Sequence, residues 1–179
     1  MPRLFFFTDP VRTPDPLAVI ARLPRGAGVV YRAFGDPDAI CTGRRLVRLA
    51  HSRGVIVLAG ADATLAARIR ADGVHLPERA ADASVGLRRV RPDWIVTAAA
   101  HSEPAIVRAR SAGVDAVFVS AVFASGSASA GRPVGALRFA GMVSRAGLPV
   151  YALGGLSGAT ARQLARTRTA GFAAVEALL

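Results

Sequence analysis

The sequence predicts a (β/α)8 TIM barrel, and three observations carry that prediction. Short strands of near-continuous apolar residues alternate with amphipathic helical stretches, the pattern of a parallel sheet covered on both faces. Several strands are entered through similar segments: Gly26-Ala27-Gly28-Val29, Ala71-Asp72-Gly73-Val74, Ala112-Gly113-Val114-Asp115 and Ala170-Gly171-Phe172-Ala173. Such recurrence implies stacked βα units. About eight units can be marked, the count that closes a barrel. A doubly wound open sheet is the alternative, and the absence of a Gly-x-Gly-x-x-Gly turn after the first strand counts against it.

Taken in order, Leu4 to Thr8 is a run of large apolar residues ending at Asp9-Pro10, a strand and a turn. Asp15 to Leu23 reads as a short helix, and Gly28 to Arg32 as the second strand. A helix follows Asp36 and reaches Ser52, its apolar side supplied by Ile40, Leu46, Val47, Leu49 and Ala50. Val55 to Ala59 is the third strand. Asp62 can cap the next helix, which carries Leu65, Ala66 and Ile69. Gly73 to Leu76 is the fourth strand, a short helix spans Ser84 to Val90, and Trp94 to Ala98 is the fifth strand. Ser102, with Glu103 and Pro104 in the first turn, starts a helix to Ala112. Ala116 to Ser120 is the sixth strand, and a small-residue loop runs from Ala121 to Gly135. A helix around Ala136 to Ala146, the strand Val150 to Leu153, a helix from Thr160 to Arg168 and the strand Phe172 to Val175 complete the pattern.

At 179 residues the chain is expected to form one domain, residues 1–179. The barrel is then minimal, because its last helix is missing after Glu176, and the bare last strand predicts a homo-oligomer. No apolar run reaches the roughly 18 residues that span a membrane. The single Cys41 excludes an internal disulfide, so a cytoplasmic protein with no membrane partner is expected. The formal charge of +11 raises the question of nucleic acid. All 23 basic residues are arginine, however, spread along the chain with aromatics not interleaved. Solvated helix faces account for that charge better than a nucleic-acid groove.

The most informative stretch is Val150-Tyr151-Ala152-Leu153-Gly154-Gly155-Leu156-Ser157. A buried strand, two glycines and a helix start suggest a phosphate cradle, since glycine lets backbone amides approach a ligand and a helix N-terminus favours an anion. An ordinary glycine-rich turn is the alternative. In a barrel the loops after strands seven and eight commonly hold phosphate, which favours the cradle and a small phosphorylated metabolite as ligand.

Five segments then resemble a known family in the right order: Phe7-Thr8-Asp9, Ala71-Asp72-Gly73-Val74-His75-Leu76, His101-Ser102, Val122-Phe123 and Ala152-Leu153-Gly154-Gly155-Leu156. Their layout is similar to that of thiamine phosphate synthases and the related thiazole tautomerases. The resemblance implies a transferase of thiamine biosynthesis, coupling hydroxymethylpyrimidine diphosphate to thiazole phosphate with Mg²⁺ and releasing pyrophosphate. It implies diphosphate binding at Arg32, where two further family positions are Val30 and Phe34. It places metal carboxylates where this chain has Gly60-Ala61 and Ala80, so the Mg²⁺ ligands are missing; Asp62 and Glu78 are the candidate substitutes. The family serine before His101 falls at Ala99, and the tautomerase histidine at Ala121.

The thiazole-phosphate half is better kept. Ser125 and Ser127 match two hydroxyl residues of the sixth loop, and Gly154, Gly155 and Val175 match the phosphate loops. The family lysine after the serines is Ala128, for which Arg132 is the candidate replacement; its serine beside Val175 is Glu176, a carboxylate that repels phosphate unless it turns away or pairs with an arginine. His101 and Ser102 are a further candidate site, with capping of the next helix as the alternative. The resemblance therefore implies weak or absent synthase activity. The reading beside it is a non-catalytic or regulatory barrel that binds a thiazole phosphate or similar small phosphate.

Overall fold

The computed structural model describes residues 1–126 and 131–176. Eight parallel strands close into a barrel in sequence order: β1 (Leu4–Phe7), β2 (Gly28–Tyr31), β3 (Ile56–Gly60), β4 (Gly73–Leu76), β5 (Ile95–Ala100), β6 (Ala116–Val119), β7 (Val150–Leu153) and β8 (Gly171–Ala174). Closure is made by β8 pairing with β1, Phe172 opposite Leu4 and Ala173 opposite Phe5. Among the described residues the connections carry α1 (Pro16–Ile20), α2 (Ala39–Ser52), α3 (Ala63–Ile69), α4 (Ala83–Val90), α5 (Glu103–Ser111), α6 (Ala136–Arg145) and α7 (Gly158–Gln163). A single 3-10 turn, Glu78–Ala80, sits between β4 and α4.

The apolar strand runs follow from burial on both faces. In β1, Phe5 and Phe7 belong to the barrel interior, whereas Phe6 joins the layer under the helices. That outer layer is the larger core, in which α2 contributes Leu46, Val47 and Ala50, α5 contributes Ile106 and Ala109, and α6 contributes Phe139. Helix starts follow the sequence: the side chains of Asp15, Asp62, Ser102 and Ser157 accept from Ala18, Leu65, Ala105 and Thr160 amides.

The interior is an aromatic cluster. The Phe118 ring stands edge-on to Phe5, Phe7 and His75 at centroid distances of 5.1, 5.2 and 5.2 Å, and stacks on Tyr151 at 4.8 Å. Rings this large fit only where neighbours are small. A Cβ on Gly28 would overlap the Phe5 ring, and one on Gly73 would overlap the Ile95 backbone. Ala116 and Ala173 complete the small side of that packing.

Several element bounds differ from expectation: α1 stops at Ile20, short of Leu23, α2 starts at Ala39, and the ends of α7 and β5 move. α7 spans Gly158–Gln163 and does not reach Arg168. Beyond it the Thr167 hydroxyl bonds to the Leu164 carbonyl, competing with helical hydrogen bonds, and the Thr169 hydroxyl ties the chain to the Val150 carbonyl on β7. β5 runs on to Ala100, because Ala99 and Ala100 pair with Phe118 and Val119. The expected loss of a final helix concerns residues 177–179, which lie outside the described residues.

Phe118 is fully buried at the centre of the ring cluster, so Phe118→Ala leaves a cavity that the closed sheet is poorly placed to fill. The variant is expected to lose about 3–5 kcal/mol of stability, read as a lower urea midpoint at unchanged slope. A loss below about 1 kcal/mol would show that the neighbouring rings collapse into the space.

Candidate functional site

The C-terminal ends of the strands open into a cavity of about 580 Å³. Its floor is the top of the aromatic cluster, Phe7 and His75, and its walls include Arg32, Phe34, Ala61 and Leu153. A second space of about 240 Å³ adjoins it between the loops after β6, β7 and β8, lined by Ser125, Gly155, Glu176 and others. Arg12, Ser125, Leu153, Gly154 and Val175 line both. Two non-glycine residues on the rim of the larger cavity, Phe34 (φ 48°) and Ala61 (φ 62°), hold left-handed backbone, a conformation that clusters at functional sites. The Ala61 amide donates to the His75 carbonyl at 2.8 Å, which fixes that turn.

Asp9 organises the β1 loop. Its Oδ1 accepts from the amides of Val11 and Arg12, and its Oδ2 accepts from Arg12 Nη2 at 2.9 Å and Arg32 Nη2 at 3.3 Å. Partial burial pushes the Asp9 carboxyl up, but the Arg12 hydrogen bond, the two amides and the Arg12 charge outweigh it and hold the group below its usual range. Arg32 is further fixed by donating from Nε to the Thr8 carbonyl at 2.7 Å, and its guanidinium lies over the rings of Phe7 and Phe34. Arg12 also faces Glu176, with Nε 3.7 Å from Oε1.

His75 on β4 is buried, with Nδ1 3.0 Å from Thr97 Oγ1. Desolvation, aided by the positive charge of Arg32, depresses its pKa from 6.5 to about 3, so the ring is a neutral imidazole at the cavity floor. His101 follows β5, its Nδ1 2.6 Å from the Ser120 carbonyl and its amide donating to Glu78 Oε2 at 2.7 Å. The other Glu78 oxygen pairs with Arg108 at 3.5 Å.

A family model described as thiamine monophosphate synthase matches residues 10–178. The chain belongs to the thiamine monophosphate synthase family. It is 37% identical over 93 residues to a putative thiamine-phosphate synthase 2 of Aquifex aeolicus, an alignment covering 52% of this chain and 50% of that one. It is 28% identical over 165 residues to the thiamine-phosphate synthase of Roseiflexus, covering 90% and 70%. The chain thus spans about half the length of the first of these relatives. In fold it is similar to a thiamine phosphate pyrophosphorylase from Pyrococcus furiosus, at a TM-score of 0.81 and 22% identity over 97% of this chain and 85% of that one.

Against this thiamine monophosphate synthase frame, the candidate residues divide. Arg32, Ser125, Gly154 and Val175 meet at the larger cavity, and Gly155 lines the smaller one. Ser127 lies outside the described residues. Arg132 is brought to neither: it lines a separate groove between α5 and α6, with Arg138 and Arg145. His101 lines both the cavity and that groove, whereas Ser102 is the cap of α5, its Oγ accepting from Ala105. Asp62 reaches the cavity rim but spends Oδ1 on capping α3 at 2.8 Å. The expected helix-end cradle at Gly154-Gly155 takes a different form. α7 is short, and its start is closed by the reciprocal bonds of Ser157 and Thr160. The two glycines, at φ 90° and 65°, let the β7 loop pack on the β6 loop, since a Cβ on Gly155 would overlap the Ala124 carbonyl. No sequence motif marks Arg12; Asp9, three residues before it in a tight turn, is the signal available.

Folding keeps a proton off His75 that the unfolded chain binds near pH 6.5. The unfolded state therefore carries more protons, and stability falls as pH drops from about 6.5 towards 3. Urea midpoints between about pH 6 and pH 4.5 are expected to be less steep in His75→Gln, by up to one proton or about 1.4 kcal/mol per pH unit. Equal slopes in both proteins would show that the ring is not held neutral.

Proposed function

We propose that the chain forms a single barrel domain that binds a thiazole phosphate or a closely similar small phosphate, with Mg²⁺-dependent synthesis of thiamine phosphate weak or absent. The observation that carries this reading is the chemistry of the cavity wall at Ala61. The family resemblance places a metal carboxylate there and another at Ala80, and this chain offers methyl groups. Asp62 and Glu78, the candidate substitutes, are engaged in capping α3 and in holding the His101 amide. Among the described residues, no three His, Cys, Asp or Glu side chains gather as a metal would require. In this reading the donor set does not fit Mg²⁺, and no step is routed through it.

A leaving diphosphate demands several cationic or metal partners, whereas the two arginines on this cavity, Arg12 and Arg32, are both already paired with Asp9. An apolar floor of Phe7 and a neutral His75 suits a small heteroaromatic ring. Gly154, Ser125 and Val175 at the edge of the same cavity are the groups proposed for the phosphate. Among the described residues no helix is long and apolar enough to cross a membrane, and a cytoplasmic, self-associating barrel is part of the proposal.

The test is calorimetric titration with thiazole phosphate and, separately, with hydroxymethylpyrimidine diphosphate, each with and without Mg²⁺. Thiazole phosphate is expected to bind with an affinity indifferent to Mg²⁺, and the diphosphate to show no metal-dependent binding. Mg²⁺-dependent diphosphate binding with turnover would overturn the reading and establish a working synthase with a relocated metal site.

A further inference from the structure

We propose that Arg12 is the cation that receives the ligand's phosphate, and that Glu176 is an internal competitor which that phosphate displaces. The proposal rests on the phosphate reading above and assigns its charge partner.

The smaller cavity is lined by the β6, β7 and β8 loops, and Arg12 is the only basic side chain among its described lining residues. Arg132, the sequence-level candidate for this role, lies in the α5–α6 groove instead. Arg12 reaches across from the β1 loop and also lines the larger cavity, so it stands where the two spaces join. Asp9 grips its guanidinium through Nε at 3.2 Å and Nη2 at 2.9 Å, which fixes the fork. The donors of Nη1 have no partner among the described residues. A guanidinium held on one edge with free donors on another is preorganised for a phosphate, whose oxygens accept parallel N–H bonds. The amides of Gly155 and Leu156, on the wall of the same cavity, donate to no group among the described residues.

The charge balance explains Glu176. Arg12 and Arg32 share the single carboxylate of Asp9, which leaves one positive charge at the mouth. Glu176 cancels it from the end of β8, but at 3.7 Å from Nε and without a hydrogen bond. Its side chain is 56% exposed. A pair this loose and this wet is weak. A phosphate that makes charge-assisted hydrogen bonds to Arg12 outcompetes it, and Glu176 turns into solvent. Left in place, the carboxylate would repel the phosphate; turned out, it does not.

The experiment compares thiazole phosphate with its dephosphorylated alcohol by calorimetry, on wild type, Arg12→Gln, Arg12→Lys and Glu176→Gln, with thermal unfolding as the control for folding. The wild type is expected to prefer the phosphate over the alcohol. Glu176→Gln is expected to bind the phosphate about two- to fivefold tighter, the scale of losing one exposed ion pair. Arg12→Gln is expected to lose about tenfold or more in phosphate affinity, and with it the preference over the alcohol; Arg12→Lys is expected to recover part of the loss. Unchanged phosphate preference in a folded Arg12→Gln overturns the assignment. Unchanged or weaker phosphate binding in Glu176→Gln overturns the competition, and does so even where Arg12→Gln fails to fold. If neither wild type nor Glu176→Gln binds the phosphate, the phosphate reading itself falls and this inference with it.

Discussion

The ring of Phe118, boxed in by Phe5, Phe7, His75 and Tyr151, is the constraint on which the rest of the molecule depends. Eight strands of four to six residues leave an interior that must be filled by few side chains. Filling it with rings calls for small residues on the facing strands, which explains Gly28, Ala116 and Ala173, whereas Gly73 is required by the close approach of the Ile95 backbone. The cluster also sets the depth of the cavity. Phe7 and His75 are at once its top layer and the cavity floor, so core packing and ligand shape are one problem here. The neutrality of His75 is a consequence: a charge inside a ring cluster is costly, and Arg32 above it adds to that cost.

Above the floor the organising force is electrostatic and local. Asp9 ties the β1 loop to β2 through Arg32 and holds Arg12 in reach of the β8 loop. None of these residues is a strand or helix residue, and each acts by charge and short hydrogen bonds at the mouth. The mouth can therefore change without disturbing the barrel below it.

That division explains what was legible in the sequence. Strands such as Leu4–Phe7 and Val150–Leu153 are contiguous apolar runs, because burial on both faces leaves one solution. Helix starts were readable at Asp62 and Ser102 because a cap is a local bond. The end of α7 was not, since no glycine or proline follows Gln163 closely and the chain beyond it is tied through the Thr169 hydroxyl to Val150, remote in sequence. Residue type at Glu176 calls only for some arginine; Arg12 sits at the opposite end of the chain and meets it because β8 closes on β1. Arg132 shows the converse: nearness in sequence to Ser125 did not bring it to the same cavity, because the approach to α6 carries it onto the outer groove.

Ala61 shows why the fold itself asks for no carboxylate at the mouth. Its backbone is left-handed and its amide bonds to the His75 carbonyl, so β3 and β4 hold the turn without help from a carboxylate. A methyl group there satisfies the turn; on the proposed reading it withdraws only the metal chemistry. The same holds at Ala80, whose amide closes the 3-10 turn onto Pro77 with no help from its side chain. Selection for the barrel therefore does not preserve carboxylates at either position; only a ligand would. The Asp9 network is different in kind, because Asp9 shapes its own loop through the amides of Val11 and Arg12 while positioning two cations. On the proposed reading, that network beside the methyl groups of Ala61 and Ala80 suits an anion held by arginine rather than by metal.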